Sequence, residues 1–279
     1  MDAQTIEHGY SVCAGHAGDS WYAGVLTLPD DEARQIDRDA ADTFEERLQT
    51  CRTWDTAVGS PTRALELVVP AAGGLTRTVL SSAARLVGPV CPRTTTADPV
   101  LAWAERRAGG WNLMLHRDGR TRIVCRRRGV MRRPQVALGR AGVVLAVEGD
   151  AADGGYETQL LDETGHGLLA VRGCNPTLAA AGEAVLLLTE QRTANDAWLR
   201  LQRVEGGAVV GTCELEDDDY LLNADLAWSA AAQAAYITAE KTPAFGYGNQ
   251  LGMHRTIHVW RWQDGAVAPY PGAENVLPV

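Results

Sequence analysis

The feature that most constrains the fold of this chain is an internal repeat. Four segments share one pattern, in which an apolar strand ends near an acid and is followed by a variable loop, an alternating strand and a turn with glycine. The acids are Glu105, Glu148, Glu190 and Glu240, and they lie 43, 42 and 50 residues apart. A regular period of this length is typical of stacked supersecondary units. We therefore expect one structural unit to recur along the chain.

Each repeat contains the signals of four short antiparallel strands. The alternating runs close on turns such as Asp-Gly in WNLMLHRDG (111–119) and Gly-Gly in WLRLQRVEGG (198–207). Such dipeptides after an alternating run favour hairpins. A short strand follows each turn, and inner strands such as NPTLAAAG (175–182) and NADLAWSA (223–230) precede the apolar ones. Four antiparallel strands in about 45 residues form one blade of a β-propeller.

The N-terminal third follows the same pattern less clearly. GYSVCAG (9–15) and WYAGVLTL (21–28) give its first two strands, RALELVVPAAGG (63–74) and LTRTVLSS (75–82) its last two, and Asp30 takes the place of the repeated glutamate. We therefore predict an all-β fold class, a five-bladed β-propeller that forms a single domain over residues 1–279. The predicted blades lie near residues 8–82, 83–131, 132–173, 174–221 and 222–272.

The first predicted blade contains a long insertion between its second and third strands. Its sequence, PDDEARQIDRDAADTFEERLQTC (29–51), opens with Pro29 and three acids, which suit the first turn of a helix. Apolar residues then recur at helical spacing and give one apolar stripe. The pattern predicts a helical insertion in blade 1, whose stripe packs on the propeller or binds a protein partner.

The strand–acid–loop–strand–Gly pattern resembles bacterial β-propellers of the sialidase-like and glycan-associated kind, and this resemblance covers most of the chain. It concerns the architecture, because the Asp box of sialidases and the WD and kelch signatures are absent from the sequence. No family's catalytic residues are carried onto this chain, since a fold by itself does not define a function.

Composition narrows the classes of partner. The formal net charge of −9 argues against nucleic-acid binding, which needs a positive field. The sequence has no run of eighteen apolar residues and no secretory pattern at its start, so we expect no membrane span and a cytoplasmic location. The six cysteines form no CxxC pair, so no zinc site, and no other metal or cofactor, is predicted. The bias towards Ala, Arg, Gly and Val resembles that of high-GC bacterial genomes.

The longest second-to-third loops predict where a ligand binds. In a propeller these loops and the links between blades share one face, around the mouth of the central channel. Segments 29–62 and 241–254 belong to blades 1 and 5, which closure of the ring makes neighbours. In or beside the second segment, His254 is a candidate acid or base, and Arg255, Tyr247 and Lys241 are candidate substrate-binding residues. The alternative is an ordered surface loop with a hydrogen-bonded histidine.

The repeated acids suggest a second set of candidates. Glu190 and Glu240 could act as the acid and base of a glycosidase, which needs two carboxyls roughly 5–9 Å apart. The alternative is one structural role repeated in every blade, in which each acid bonds a neighbouring backbone or arginine on a solvated rim. Asn175, Asp225 and Arg133, at or near the starts of predicted inner strands, complete the set of candidate substrate-binding residues.

Three further features carry weaker hypotheses. The basic link RRRGVMRR (126–133) could bind an anionic substrate or an acidic partner, and it and the acidic link ELEDDD (214–219) could equally be solvated loop charge. Cys13 and His16 could form a nucleophilic pair, but only if a turn begins at Gly15, because residues i and i+3 of a strand point to opposite faces.

These patterns predict an enzyme that processes a small molecule, with a polar or glycan-like substrate at the channel mouth. A hydrolase, a lyase or a cyclase of bacterial specialised metabolism would fit, and no motif chooses between them. The alternative is a non-catalytic propeller that binds a protein partner or a glycan. The two long loops, 29–62 and 241–254, are predicted to lie over the same sector of one face. This favours a single binding pocket, and a single pocket favours the enzyme.

Overall fold

The computed structural model describes residues 9–27, 63–83, 85–128, 131–140, 142–152, 154–193, 196–217, 219–242, 256–270 and 275–276. The helix predicted over residues 29–51 lies outside the described residues, as do Asp30 and the candidates Tyr247, His254 and Arg255. The chain divides into two compact units, Met1–Pro134 and Gln135–Val279, which we call unit 1 and unit 2. Within the described residues, no helix is long and apolar enough to cross a membrane.

The described part of unit 1 forms two antiparallel sheets of four strands each. In both sheets, strands that follow one another along the chain are hydrogen-bonded neighbours. The strands of the first sheet are β1 (Gly9–Ala17), β2 (Ser20–Thr27), β3 (Arg63–Ala71) and β4 (Gly74–Ala83). The strands of the second sheet are β5 (Leu86–Val90), β6 (Leu101–Arg107), β7 (Gly110–Arg117) and β8 (Arg120–Arg127).

The described part of unit 2 forms three sheets with the same meander topology. The third sheet contains β9 (Gln135–Gly139), β10 (Gly142–Asp150), β11 (Tyr156–Asp162) and β12 (Gly167–Arg172). The fourth contains β13 (Cys174–Ala181), β14 (Ala184–Arg192), β15 (Ala197–Glu205) and β16 (Ala208–Leu215). The fifth contains β17 (Tyr220–Ser229), β18 (Ala234–Thr242), β19 (Thr256–Gln263) and β20 (Ala266–Pro269), with the short β21 (Asn275–Val276) paired to β19.

The predicted fold class is confirmed, because the described residues are all β and form five blades, each a four-stranded antiparallel meander. The N-terminal third, which follows the repeat least clearly, supplies a complete blade. That all residues belong to a single domain stays a prediction, as does the helical insertion.

The second strand of each blade lies at the centre of the packing. In the fourth blade the first eight residues of β14 are all buried, and the first five of them, 184–188, form a continuous apolar run instead of an alternating one. Leu187 packs with Ala146 and Leu160 of the third blade, whereas Leu186 packs with Ile237 of the fifth. Because alternate side chains meet different neighbouring blades, both faces of this strand contribute to the core of unit 2.

One hydrophobic cluster of unit 1 is built around the large aromatic side chains of Tyr22 and Trp103. Tyr22 and Trp103 are almost completely buried and pack with aliphatic side chains such as Leu65. The Tyr22 hydroxyl donates a hydrogen bond of 3.1 Å to the backbone oxygen of Val100, so the polar end of this ring is satisfied. Its ring lies against Gly15 on β1, where a Cβ atom would come within 2.6 Å of the ring. The close approach of the two strands therefore requires glycine at position 15.

This contact predicts the effect of one added methyl group. We expect Gly15→Ala to lower the free energy of unfolding by about 1–3 kcal/mol, because Tyr22 is buried on all sides and cannot move aside. The matched control is Gly167→Ala on β12, where no heavy atom of the described residues lies within 4 Å of an added Cβ. Urea unfolding of both variants measures the difference, and equal stability of the two variants would contradict the packing described here.

Candidate functional site

Asparagines join the repeated acids of unit 2 across neighbouring blades. The backbone N–H of Asn175 donates to Glu148 Oε2 of the preceding blade at 2.7 Å, and its side-chain Nδ2 donates to Glu190 Oε2 at 2.8 Å. Asn223 repeats this arrangement, with its N–H 2.8 Å from Glu190 Oε1 and its Nδ2 2.9 Å from Glu240 Oε2. Each asparagine therefore bonds the acid of the preceding blade and the acid of its own blade. We call these five residues the Glu–Asn series.

The backbone explains why asparagine occupies both positions. Asn175 and Asn223 have φ angles of 47° and 50°, in the left-handed region that asparagine adopts more readily than most residues. Each lies where the pairing register of its strand shifts, between Cys174 and Thr177 in β13 and between Leu222 and Asp225 in β17. At such a bulge the backbone N–H leaves the ladder, and here it donates to a carboxylate of the neighbouring blade.

Glu190 is the most extensively bonded member of the series. Its carboxylate is 1% exposed, and Oε2 also accepts bonds from Nε and Nη2 of Arg192 at 3.2 and 2.5 Å. Both oxygens are therefore engaged, Oε1 by Asn223 and Oε2 by Asn175 and Arg192. The expectation of a solvated rim is wrong for Glu190, because its carboxylate is buried. The contacts favour the structural role, and catalysis by Glu190 and Glu240 stays a prediction.

Unit 1 holds its repeated acid in the same way with different partners. Glu105 on β6 is buried and accepts hydrogen bonds from Ser81 of the preceding blade, from Arg107 Nε at 2.8 Å and from Trp103 Nε1 at 3.4 Å. Burial would raise the pKa of Glu105, but the bonds from Arg107 and Ser81 outweigh it and lower the pKa below its usual value. The acid therefore occupies an equivalent position in the repeat of each unit, whereas the residues that donate hydrogen bonds to it differ.

A second arrangement in unit 2 is a cleft of about 560 Å³ between the fourth and fifth blades. We call it the Lys241 cleft, and its lining residues are Asp196, Trp198, Glu216, Asp217 and Lys241. They come from the second-to-third connection of the fourth blade, from the start of β15, from the link between the blades and from the end of β18. In the fourth blade, the second-to-third connection and the link to the fifth blade therefore share a face, as the sequence pattern predicts.

An ion pair fixes the charges of this cleft. Lys241 Nζ lies 2.7 Å from Asp217 Oδ1 and 3.7 Å from Asp219 Oδ2. The hydrogen bond to Asp217 raises the pKa of Lys241, in spite of burial. Burial is the largest effect and raises the pKa of Asp217, but the hydrogen bonds from Lys241 and from the backbone of Asp219, together with the charge of Lys241, outweigh it and the net pKa is lowered. At neutral pH, Lys241 is therefore a fixed cation and Asp217 a fixed anion.

A hydrogen bond from the ring nitrogen holds Trp198, the aromatic residue of the cleft, in place. Trp198 Nε1 donates to Glu214 Oε2 at 2.8 Å, and Arg200 Nε donates to Glu214 Oε1 at 2.6 Å. These bonds connect β15 to β16 and restrain the indole ring beside Asp217. The acidic link 214–219 therefore makes specific contacts, which its composition alone did not indicate.

The remaining sequence candidates are dispersed. Asp225 is half-buried on β17, and its Oδ1 accepts the backbone N–H of Leu226 at 2.9 Å. Arg133 belongs to unit 1, where its Nη2 donates to the backbone oxygen of Pro89 at 3.0 Å. Within the described ranges, no three His, Cys, Asp or Glu side chains converge as a metal site would require.

The predicted Cys13–His16 pair does not form. The strand β1 continues through both residues to Ala17, so the turn needed at Gly15 is absent and the two side chains point to opposite faces. Asn223, Trp198 and Asp217 were not predicted from the sequence. For Asn223 a signal existed, since asparagine begins both inner-strand motifs, at 175 and at 223.

No protein-family model matches the chain, and no curated protein matches it. Solved structures that are similar include TolB from Acinetobacter baumannii, with 12% identity and a TM-score of 0.48 over 74% of this chain and 48% of TolB. The chain thus spans about half the length of TolB. The β-propeller domain of the Trilobed protease from Pyrococcus furiosus is 7% identical, with a TM-score of 0.46 over 98% of this chain and 84% of that one. A variant of levansucrase from B. megaterium is 8% identical, with a TM-score of 0.44 over 97% and 86%.

The Glu–Asn series predicts a large cost for removing one buried charge. We expect Glu190→Gln to lower the free energy of unfolding by about 2–4 kcal/mol. The side-chain nitrogen of glutamine would face a hydrogen-bond donor where glutamate has an acceptor, and Arg192 would lose its counter-ion. The matched control is Glu183→Gln on the same blade. Glu183 and Arg140 form an ion pair whose side chains are 68% and 80% exposed, and its loss costs less than about 0.5 kcal/mol. Urea unfolding that ranks the two variants equally would contradict a structural role for Glu190.

Proposed function

We propose that this protein binds a small, uncharged, hydroxyl-rich ligand of the sugar type in the Lys241 cleft. The observation that supports this function is the combination of an aromatic side chain with fixed donors and acceptors in one cleft. Trp198 offers an apolar face for the C–H side of a sugar ring. Asp196, Glu216 and Asp217 offer acceptors for its hydroxyl groups, and Lys241 offers a donor.

The charge of the cleft narrows the ligand class. Three lining carboxylates face one lining ammonium, so the cleft is negative by two formal charges, and Asp219 adds another carboxylate next to Lys241. The whole chain has a net charge of −9. Because a negative field repels anions, this supports a neutral polyol over a phosphate or a sugar acid.

Turnover of the same ligand is the second candidate, and one observation favours it. Asp217 is held ionised at the cleft, and Asp196 lies in the same lining. Glycoside hydrolysis uses two carboxyl groups, one of them ionised as nucleophile or base. The propeller would then be an enzyme of the hydrolase, lyase or cyclase class in bacterial specialised metabolism. Binding is the first candidate because Glu190 and Glu240, the acid and base that the sequence pattern suggests, already accept hydrogen bonds from Asn175 and Asn223.

Calorimetric titration with a panel of neutral mono- and oligosaccharides tests the binding function. We expect Trp198→Ala to weaken the affinity of the bound sugar about tenfold or more, which corresponds to about 1.4 kcal/mol. Lys241→Met should weaken it as well, because the cleft loses its donor. Arg140→Met is the matched control, since it removes a cation from an exposed ion pair elsewhere in unit 2. Sugar binding that all three variants retain in full would contradict the assignment of the cleft.

The pH dependence of binding provides a separate prediction. The pKa of Asp217 is lowered on folding, so its ionised form persists below the usual aspartate value of about 3.9. Affinity should therefore be constant from pH 7 to about pH 5 and should fall only below about pH 4, as Asp217 takes up a proton. Titrations at a series of pH values measure this. A decline centred between pH 6 and 7 would point to a histidine instead.

One variant separates binding from turnover. If the protein is an enzyme, Asp217→Asn loses product formation even at sugar concentrations that saturate its weakened site, and chromatography of the incubated sugar detects this loss. If the protein only binds, the wild-type chain forms no product and Asp217→Asn changes affinity alone.

A further inference from the structure

Two cysteines meet in unit 1, between the first strands of the first two blades. Cys13 lies on β1, and Cys91 directly follows β5. The Cys91 thiol donates to the backbone oxygen of Ala14 at 3.0 Å and is also hydrogen-bonded to the Cys13 thiol. Both cysteines are free thiols and both are partly accessible to solvent. The two sulfur atoms are therefore neighbours that no covalent bond joins.

Backbone hydrogen bonds hold this pair in register. Thr96 forms a parallel bridge with Ala17, and its N–H donates to the His16 oxygen at 2.9 Å. The N–H of Gly18 returns a bond of 2.8 Å to the Thr96 oxygen, and the Thr96 hydroxyl adds a bond of 3.1 Å to His16. The segment after Cys91 is thus fastened to the end of β1, which keeps the two thiols close.

The surroundings make the two thiols chemically unequal. The hydrogen bond from Cys13 lowers the pKa of Cys91, and Arg93 and Arg133 lower it further against the effect of burial. The same hydrogen bond, together with burial, raises the pKa of Cys13. Cys91 is therefore the first of the pair to lose its proton, with two guanidinium groups to stabilise the thiolate.

We propose that Cys13 and Cys91 form a peroxide-sensitive dithiol that closes reversibly to a disulfide between the first two blades. The Cys91 thiolate attacks one oxygen of a hydroperoxide, the O–O bond breaks, and the leaving oxygen takes a proton to become water or an alcohol. Cys91 is then a sulfenic acid. The Cys13 sulfur attacks the Cys91 sulfur, the S–O bond breaks and water leaves with the proton of Cys13. Two thiols are oxidised and one peroxide is reduced.

The disulfide would change the stability of unit 1. Residues 13 and 91 are 78 positions apart, so the bond closes a long loop and restricts the unfolded chain. The folded chain already holds the two sulfur atoms together, so closure needs little movement of the backbone. Oxidised protein should therefore unfold at a higher temperature than reduced protein, and dithiothreitol should reverse the shift.

Peptide mapping of the full chain after hydrogen peroxide treatment tests the proposal. We expect a peptide pair linked through Cys13 and Cys91 that lacks two hydrogen atoms and separates again with dithiothreitol. In Cys13→Ser the reaction should stop at a sulfenic acid on Cys91, which dimedone traps. In Cys91→Ser neither product should form. Cys213→Ser in unit 2 is the control, because burial and Glu214 raise the pKa of that thiol and its loss should change nothing.

The alkylation rate of the unmodified protein gives a readout that needs no variant to fold. At pH 7, iodoacetamide should modify Cys91 at least about tenfold faster than Cys213, because only the thiolate reacts. Equal rates at the two residues, or oxidised protein without the linked peptide, would overturn the proposal. A linked peptide that forms equally well in Cys213→Ser and not in Cys91→Ser would support it.

Discussion

The structure of unit 2 depends on hydrogen bonds that one blade donates to the buried acid of the preceding blade. A carboxylate loses its hydration on burial, and this cost is recovered only when charged or polar donors surround it. Around Glu190 the donors come from three places: its own strand through Arg192, its own blade through Asn175 and the following blade through Asn223. The same bonds that stabilise the charge therefore fix how adjacent blades pack.

This arrangement has consequences for the chemistry of the protein. An acid that repeats once per blade is an obvious candidate for catalysis, but in unit 2 Glu148 and Glu190 accept hydrogen bonds from the following blade. Polar groups that could bind a ligand lie instead at the connections between strands and between blades, where side chains need not pack in a core. The Lys241 cleft illustrates this, because Asp217 and Lys241 come from a blade link and a strand end. Their mutual bond sets both charges before any ligand arrives.

In unit 1, different residues bond the buried acid and join the neighbouring blades. Ser81 and Arg107 satisfy its buried acid, Glu105, and a backbone bridge at Thr96 fastens the segment after β5 to β1. That bridge brings Cys13 and Cys91 together. A repeated fold thus allows local variation at the blade junctions, since each junction needs satisfied donors and acceptors but not particular ones. One junction contains amides, and another contains thiols.

The sequence by itself determined the all-β fold class, the period of the blades and the position of the repeated acids, because strand alternation, turn residues and apolar runs are local signals. It did not determine what those acids do. Whether Glu190 faces solvent or Asn223 depends on a bulge in the next blade, 33 residues away. Nor could it pair Cys13 with Cys91 instead of His16, or bring Trp198 beside Lys241. Only the tertiary structure decided these contacts, because each joins segments that meet through packing between blades and not through spacing along the chain.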